Sequence, residues 1–157
     1  MSAYGKVAIV IGSRSDYDVA KPAVTVLDRF GVESEIRIIS AHRSPMEAHD
    51  FAVSAEERGF EVLIGVAGKA AHLAGVLAGY TTLPVIALPV QTSFMGGLDS
   101  LLSMVQMPKG VPVATVAVNG ADNAALLAVQ ILAVKYPELK AKLAEYKEDM
   151  RKKVVND

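Results

Sequence analysis

The sequence predicts an α/β fold: a doubly wound, parallel, five-stranded sheet in a three-layer αβα sandwich, with a C-terminal helix extension. Three observations carry this reading. Apolar, strand-like runs alternate five times with helical segments. The first run, residues 7–11 (VAIVI), is apolar without alternation, as a strand covered on both faces must be. The gap between the first two runs is long enough for a right-handed crossover helix.

Taken in order, residues 7–11 form the first strand and Gly12 ends it. Residues 12–16 (GSRSD) make a strand-to-helix turn with small hydroxyls, a natural seat for an anion, and Ser15 or Asp16 is the expected N-cap. Val19, Ala23, Val26, Leu27 and Phe30 share one helical face, and Gly31 closes that helix. Residues 33–39 read as the second strand. Ser44, Pro45 and Glu47 predict a capping box for a helix reaching about Arg58 and stopping at Gly59. Residues 61–67 are the third strand, followed by the turn 68–72 (GKAAH) and a short helix ending near Gly79. Residues 84–88 are the fourth strand, 89–97 an irregular polar stretch, and 98–105 a helix. Residues 113–118 are the fifth strand and 123–134 an alanine-rich buried helix. A flavodoxin-like sheet of this kind places ligands beyond the carboxyl ends of its strands, where strand order reverses. The turns GSRSD, SAHRS, GKAAH and PVQTSFMGG all fall at that edge.

Residues 1–136 are expected to form one catalytic domain, and residues 137–157 a helical extension. Leu139, Leu143, Tyr146, Met150 and Val154 make a single apolar stripe on that extension. The stripe fits a helix lying on its own domain or on a neighbouring subunit. Glu138 with Lys142, and Glu148 with Lys152, are expected i, i+4 pairs.

The chain has 157 residues, of which 52% are hydrophobic and 21% charged. The low charge content for this class points to surface buried against partner subunits. A net charge of -1 gives no reason to expect nucleic acid as a partner. Absence of cysteine excludes disulfides, thiolate metal sites and cysteine nucleophiles. No apolar run approaches the ~20 residues of a membrane span, and a cytoplasmic protein is the expectation.

Three histidines occur, His42, His49 and His72. His42 and His72 follow strand ends, whereas His49 lies within the second helix and reads as structural. His42 is of the residue type best suited to general acid–base work, and Arg43 beside it has the donor fork that suits phosphate. His72 opens the helix after the third strand. Lys69 in the same turn either faces a carboxylate or extends into water. Met95, Met104 and Met107 read as packing. Neither H-E-x-x-H nor G-x-S-x-G occurs, so metal-protease and serine chemistry have no motif. Two classes survive: an enzyme acting on a phosphorylated small molecule, and a nucleotide-binding module without chemistry. A flavin carrier has the right sheet but lacks aromatic groups to stack on the ring.

GSRSD (12–16), SAHR (40–43), AGKAAHLAG (67–75), PVQTS (89–93), GLDSLLSMVQMPKG (97–110) and NAALLAVQIL (123–132) together resemble one family. It is that of N5-carboxyaminoimidazole ribonucleotide mutase, the PurE-type enzymes of purine synthesis. The resemblance implies transfer of a carboxylate from the exocyclic nitrogen of an aminoimidazole ribonucleotide to ring carbon 4. Carbon dioxide is the enclosed intermediate, and neither metal, ATP nor biotin is required. It also implies catalytic roles for His42 and His72. Ser13 and Arg43 then correspond to phosphate ligands and Asp16 to a ribose hydroxyl acceptor. Ser40, Ala41, Gly68, Lys69 and Ala70 complete the implied substrate contacts. The family assembles as an octamer with active sites at subunit junctions. At Lys69 and Ala74 its members commonly carry glycine and proline. The related direct carboxylase, which uses free carbon dioxide, typically lacks the histidine of AAHLAG.

Overall fold

A computed structural model describes residues 3–156. Five parallel strands form one sheet: β1 (Lys6–Ile11), β2 (Glu33–Ile38), β3 (Phe60–Ala67), β4 (Val85–Pro89) and β5 (Ala114–Thr115). Their order is β2-β1-β3-β4-β5, the flavodoxin-like order, with its reversal between β1 and β3. Six helices accompany them: α1 (Tyr17–Phe30), α2 (Pro45–Ser54), α3 (Leu73–Tyr80), α4 (Leu98–Val105), α5 (Ala121–Leu132) and α6 (Pro137–Asn156). Among the described residues no helix is long and apolar enough to cross a membrane.

The central strand explains the layering. Val7 to Ile11 are all fully buried, because successive side chains enter opposite cores. Val7, Ile9 and Ile11 join α1, α5 and the start of α6, whereas Ala8 and Val10 join α2, α3 and Met104 of α4. Small residues set the closest approaches. A Cβ on Gly65 would lie 2.8 Å from Cα and Cβ of Ala74, so β3 and α3 touch through backbone. At the opposite edge Glu61 Oε1 accepts bonds from Lys135 Nζ (2.7 Å) and Tyr136 Oη (2.6 Å), tying β3 to the segment before α6. Burial pushes the Glu61 carboxyl up, but the bonds from Lys135 and Tyr136 outweigh it and hold the group below its ordinary range.

Several local expectations are corrected. Ser44 makes no capping box: its hydroxyl accepts from Ser40 N–H (2.9 Å) and donates to Ser40 O (3.0 Å), so it closes the preceding turn. The helix expected to reach Arg58 ends at Ser54, and looser turns lead to Gly59, which has φ +83°. Neither Ser15 nor Asp16 caps α1 with its side chain. Residues 14–16 form a 3-10 turn instead, and Ser13 accepts from Ser15 N–H at its start.

β5 spans two residues, not the six expected. Ala87 and Pro89 present their carbonyls to this edge, at Val116 N–H and Asn119 N–H, but Pro89 has no N–H to return. Gly31 closes α1 at φ +76° as expected.

The apolar stripe of α6 divides. Leu139 is fully buried, and Leu143 and Tyr146 pack on the α1 side of the core. Met150 and Val154 are exposed. The i, i+4 pairs do not form: Lys142 Nζ donates to Phe30 O (2.9 Å), and Glu148 pairs with Arg151.

Candidate active site

The turns after β1, β2, β3 and β4 meet at the carboxyl edge of the sheet, around the reversal of strand order, and enclose a cleft of about 760 Å³. Every residue expected to act there lines it: Ser13, Asp16, Ser40, Ala41, His42, Arg43, Gly68, Lys69, Ala70 and His72. His49 does not. Its ring packs on Tyr80 at 4.8 Å, with Nδ1 2.9 Å from Asp50, in keeping with a structural role.

The turn after β1 is extended at Ser13 (φ -154°) and then tightens into the 3-10 turn, where Asp16 N–H donates to Ser13 O. The Asp16 side chain is not engaged in capping and lies against the cleft wall, nearly buried. Burial pushes its carboxyl above the ordinary range, partly offset by the backbone of Ser13 and the charge of Arg43. A desolvated acceptor of this kind suits a ligand hydroxyl.

The turn after β2 is braced by serines. Ser40 Oγ accepts from Arg43 N–H (3.1 Å) and from Arg43 Nε (3.3 Å), and Arg43 Nη2 donates to Gly12 O (3.2 Å). These bonds lay the guanidinium across the ends of β1 and β2, in the cleft that Ser13 and Ser15 also line. A cation, two hydroxyls and the start of a helix together suit a phosphate.

His42 and His72 meet across the cleft. His42 Nε2 lies 3.0 Å from His72 Nδ1, with the rings edge to face at a 5.0 Å centroid distance. Such a bond requires one nitrogen to carry a proton and the other to present a lone pair. The two rings are both exposed, so the pair is open to a ligand. His72 is held by the turn before it: Ala71 N–H donates to Lys69 O (2.8 Å), His72 N–H to Ala70 O (2.9 Å), and Val76 N–H of α3 to His72 O (2.9 Å). Lys69 takes φ +59°, a left-handed conformation that costs an L-residue about 1–2 kcal/mol.

The loop after β4 adds Val90, Gln91, Thr92 and Ser93 to the lining, residues quoted above within the PVQTS motif but given no individual role there, and Ser15 and Leu73 join them from the GSRSD and AGKAAHLAG motifs. Gln91 is clasped by Asn119, which accepts from Gln91 N–H (2.9 Å) and donates to Gln91 Oε1 (3.2 Å). Thr92 Oγ1 donates to Asp99 Oδ1 (2.6 Å), and Ser100 Oγ to Val90 O (2.6 Å). Met95, Gly96 and Gly97 are all left-handed, which lets the chain turn back into α4. Met104 is fully buried and Met107 packs at Gly75, as packing residues should, but Met95 is exposed. Among the described residues no group of three or more histidine, aspartate or glutamate side chains is placed to hold a metal ion.

Comparison with known proteins matches residues 6–153 to the AIR carboxylase family. The N5-carboxyaminoimidazole ribonucleotide mutase of Pyrococcus abyssi is 58% identical over 147 residues, covering 94% of this chain and 84% of that one. The protein of the same name from Thermotoga maritima is 55% identical over 150 residues, covering 96% and 88%. A crystal structure of Treponema denticola PurE superposes with a TM-score of 0.89 at 31% identity, over 97% of this chain and 95% of that one. The chain belongs to the AIR carboxylase family and closely matches its mutase-type members.

Proposed function

We propose that this cleft moves the carboxylate of N5-carboxyaminoimidazole ribonucleotide from nitrogen to ring carbon 4, with His42 as the general acid–base. The chain is a PurE-type mutase of purine biosynthesis. The assignment of residues to steps is the part that we add. It rests most heavily on the His42–His72 pair, 3.0 Å apart, in a cleft that Arg43 and the Ser13 turn also line.

Arg43 and Ser13 bind the phosphate, Asp16 accepts from a ribose hydroxyl, and Ser40 fixes Arg43. Ser40, Ala41, Gly68 and Ala70 then form the walls around the base, which faces the bonded His42–His72 pair. The nitrogen carboxylate is a carbamate. Breaking its N–C bond releases carbon dioxide, leaves the electron pair on nitrogen, and requires a proton there that His42 supplies. The ring is then an enamine-like nucleophile, and carbon 4 attacks the retained carbon dioxide. Holding the two together makes recapture effectively unimolecular. Carbon 4 now bears both hydrogen and carboxylate. His42 takes that proton back, which restores aromaticity and returns the histidine to its starting state. His72 Nδ1, within hydrogen-bond reach of His42 Nε2, shares the proton between the two transfers.

The assembly belongs to the same reading. Met46 and Val53 of α2, Tyr80 of α3, and Leu102 and Val105 of α4 are large apolar groups left exposed on helices that pack on the same side of the sheet. A homo-oligomer, the octamer implied by the family, covers them, in keeping with the low charge content of the chain.

His42→Asn tests the chemistry. Asparagine keeps a polar group in the turn but cannot move a proton near neutrality. The variant is expected to bind the nucleotide and to lose on the order of 10²–10⁴ in kcat. A purified, folded variant keeping more than a tenth of native kcat overturns the assignment.

A further inference from the structure

We infer that Lys69 is the second anion-binding cation of the cleft and holds the carboxylate that the reaction moves, so that carboxylated ribonucleotide is preferred over the bare form. This rests on the reading of the cleft given above and adds the residue that reads the carboxylate.

The first observation is conformational. Among the described residues Lys69 is one of three non-glycine residues with positive φ, at +59°, and of these only Lys69 lines the cleft. Glycine takes this conformation without penalty, since it has no Cβ to meet the neighbouring carbonyl. The backbone is fixed there regardless of side chain, by Ala71 N–H on Lys69 O and by the close approach of Ser103 Oγ (3.5 Å) to the same carbonyl. A lysine is therefore kept where the backbone favours glycine, and such outliers at a cleft point to a use for the side chain.

The second observation is electrostatic. Three charged residues line the cleft: Asp16, Arg43 and Lys69. Arg43 is bonded to Gly12 O and Ser40 Oγ, and its charge bears on Asp16. The Lys69 ammonium has no hydrogen bond or ion pair among the described residues. The two cations sit on different turns, Arg43 after β2 and Lys69 after β3.

The carboxylated substrate also carries two separate anionic groups, a phosphate and a carboxylate, whereas the bare ribonucleotide carries only the phosphate. Arg43 answers the phosphate. Lys69 shares a turn with His72, which is bonded to His42, so the second cation lies on the turn where the carboxylate is cut and rejoined. An ammonium on a flexible stem can follow the group from nitrogen to carbon, because it needs no fixed fork geometry.

The test is calorimetric titration of the full-length protein with two probes, 4-carboxy-5-aminoimidazole ribonucleotide and bare 5-aminoimidazole ribonucleotide. Native protein, Lys69→Gly and Lys69→Arg are compared, with thermal unfolding of each as a check on folding. Lys69→Gly is expected to remain folded, with a midpoint at or above native, since its turn loses the strained side chain. It should bind the carboxylated probe about tenfold more weakly and the bare probe within about twofold of native. Lys69→Arg should retain the preference. Unchanged affinity of Lys69→Gly for the carboxylated probe overturns the inference, as does an equal loss for both probes. If native protein binds neither probe, the underlying reading of the cleft falls and the inference with it.

Discussion

Asp16 shows how one residue ties the stability of this protein to its site. It stands where a helix cap is expected, yet its carboxylate makes no cap bond and is nearly buried beside the cleft. Burial is the largest influence on it and raises its pKa, against the backbone bond of Ser13 and the charge of Arg43. A carboxyl whose folded pKa is raised binds protons more tightly when folded. Its charged form therefore weakens the fold above that pKa, and stability is regained as pH falls through it. Asp16→Asn removes the charge at every pH. It is expected to raise the thermal midpoint at pH 7 by on the order of 2 °C while weakening nucleotide binding, and the gain should shrink as pH is lowered through the acid range. A variant less stable than native at pH 7 in thermal unfolding would show that the carboxylate supports the fold. His42 and Arg43 were legible in the sequence as residue types in a turn. The bond between His42 and His72 was not, because thirty residues separate them and their turns meet only when β2 and β3 both pair with β1.

Elements were legible in proportion to how locally they are determined. The apolar runs of β1 and β3 and the periodicity of α1 needed no tertiary information, and Gly31 marked a real stop, whereas α2 ends at Ser54, short of the Gly59 stop expected. β5 fell short because its length depends on what β4 offers, and Pro89 offers no N–H. The capping box failed for a similar reason: Ser44 finds a partner in Ser40, on the turn that carries Arg43. In α6 the stripe was visible but its partner was not. Its first half lies on the core through Leu139, Leu143 and Tyr146, and its second half carries Met150 and Val154 into the open. Removing residues 149–157 is therefore expected to leave the unfolding midpoint within a few degrees of native, since little of the core is lost. Light scattering should then show a smaller assembly than the full-length oligomer. An unchanged mass would place the second half of α6 outside the subunit contacts, and a monomer mass for the full-length protein would remove the oligomer altogether.

At the scale of the whole molecule, four turns from distant parts of the chain meet at one edge because the sheet is parallel and reverses its order between β1 and β3. That convergence follows from the alternation of strands and helices, so the place of the cleft was readable from the sequence. The contribution of Gln91 and Thr92 was not, since it depends on the clasp from Asn119 and the bond to Asp99. In the reaction proposed above, the carboxylate is released and recaptured within this cleft without mixing with solvent. The direct measurement follows product formation from the N5-carboxylated ribonucleotide in buffer with low, isotopically labelled bicarbonate. The account expects rapid turnover with label excluded from the product, and slow use of the bare ribonucleotide unless bicarbonate is high. Label entering the product as fast as product forms would mean that free carbon dioxide is the true substrate, and would contradict the account.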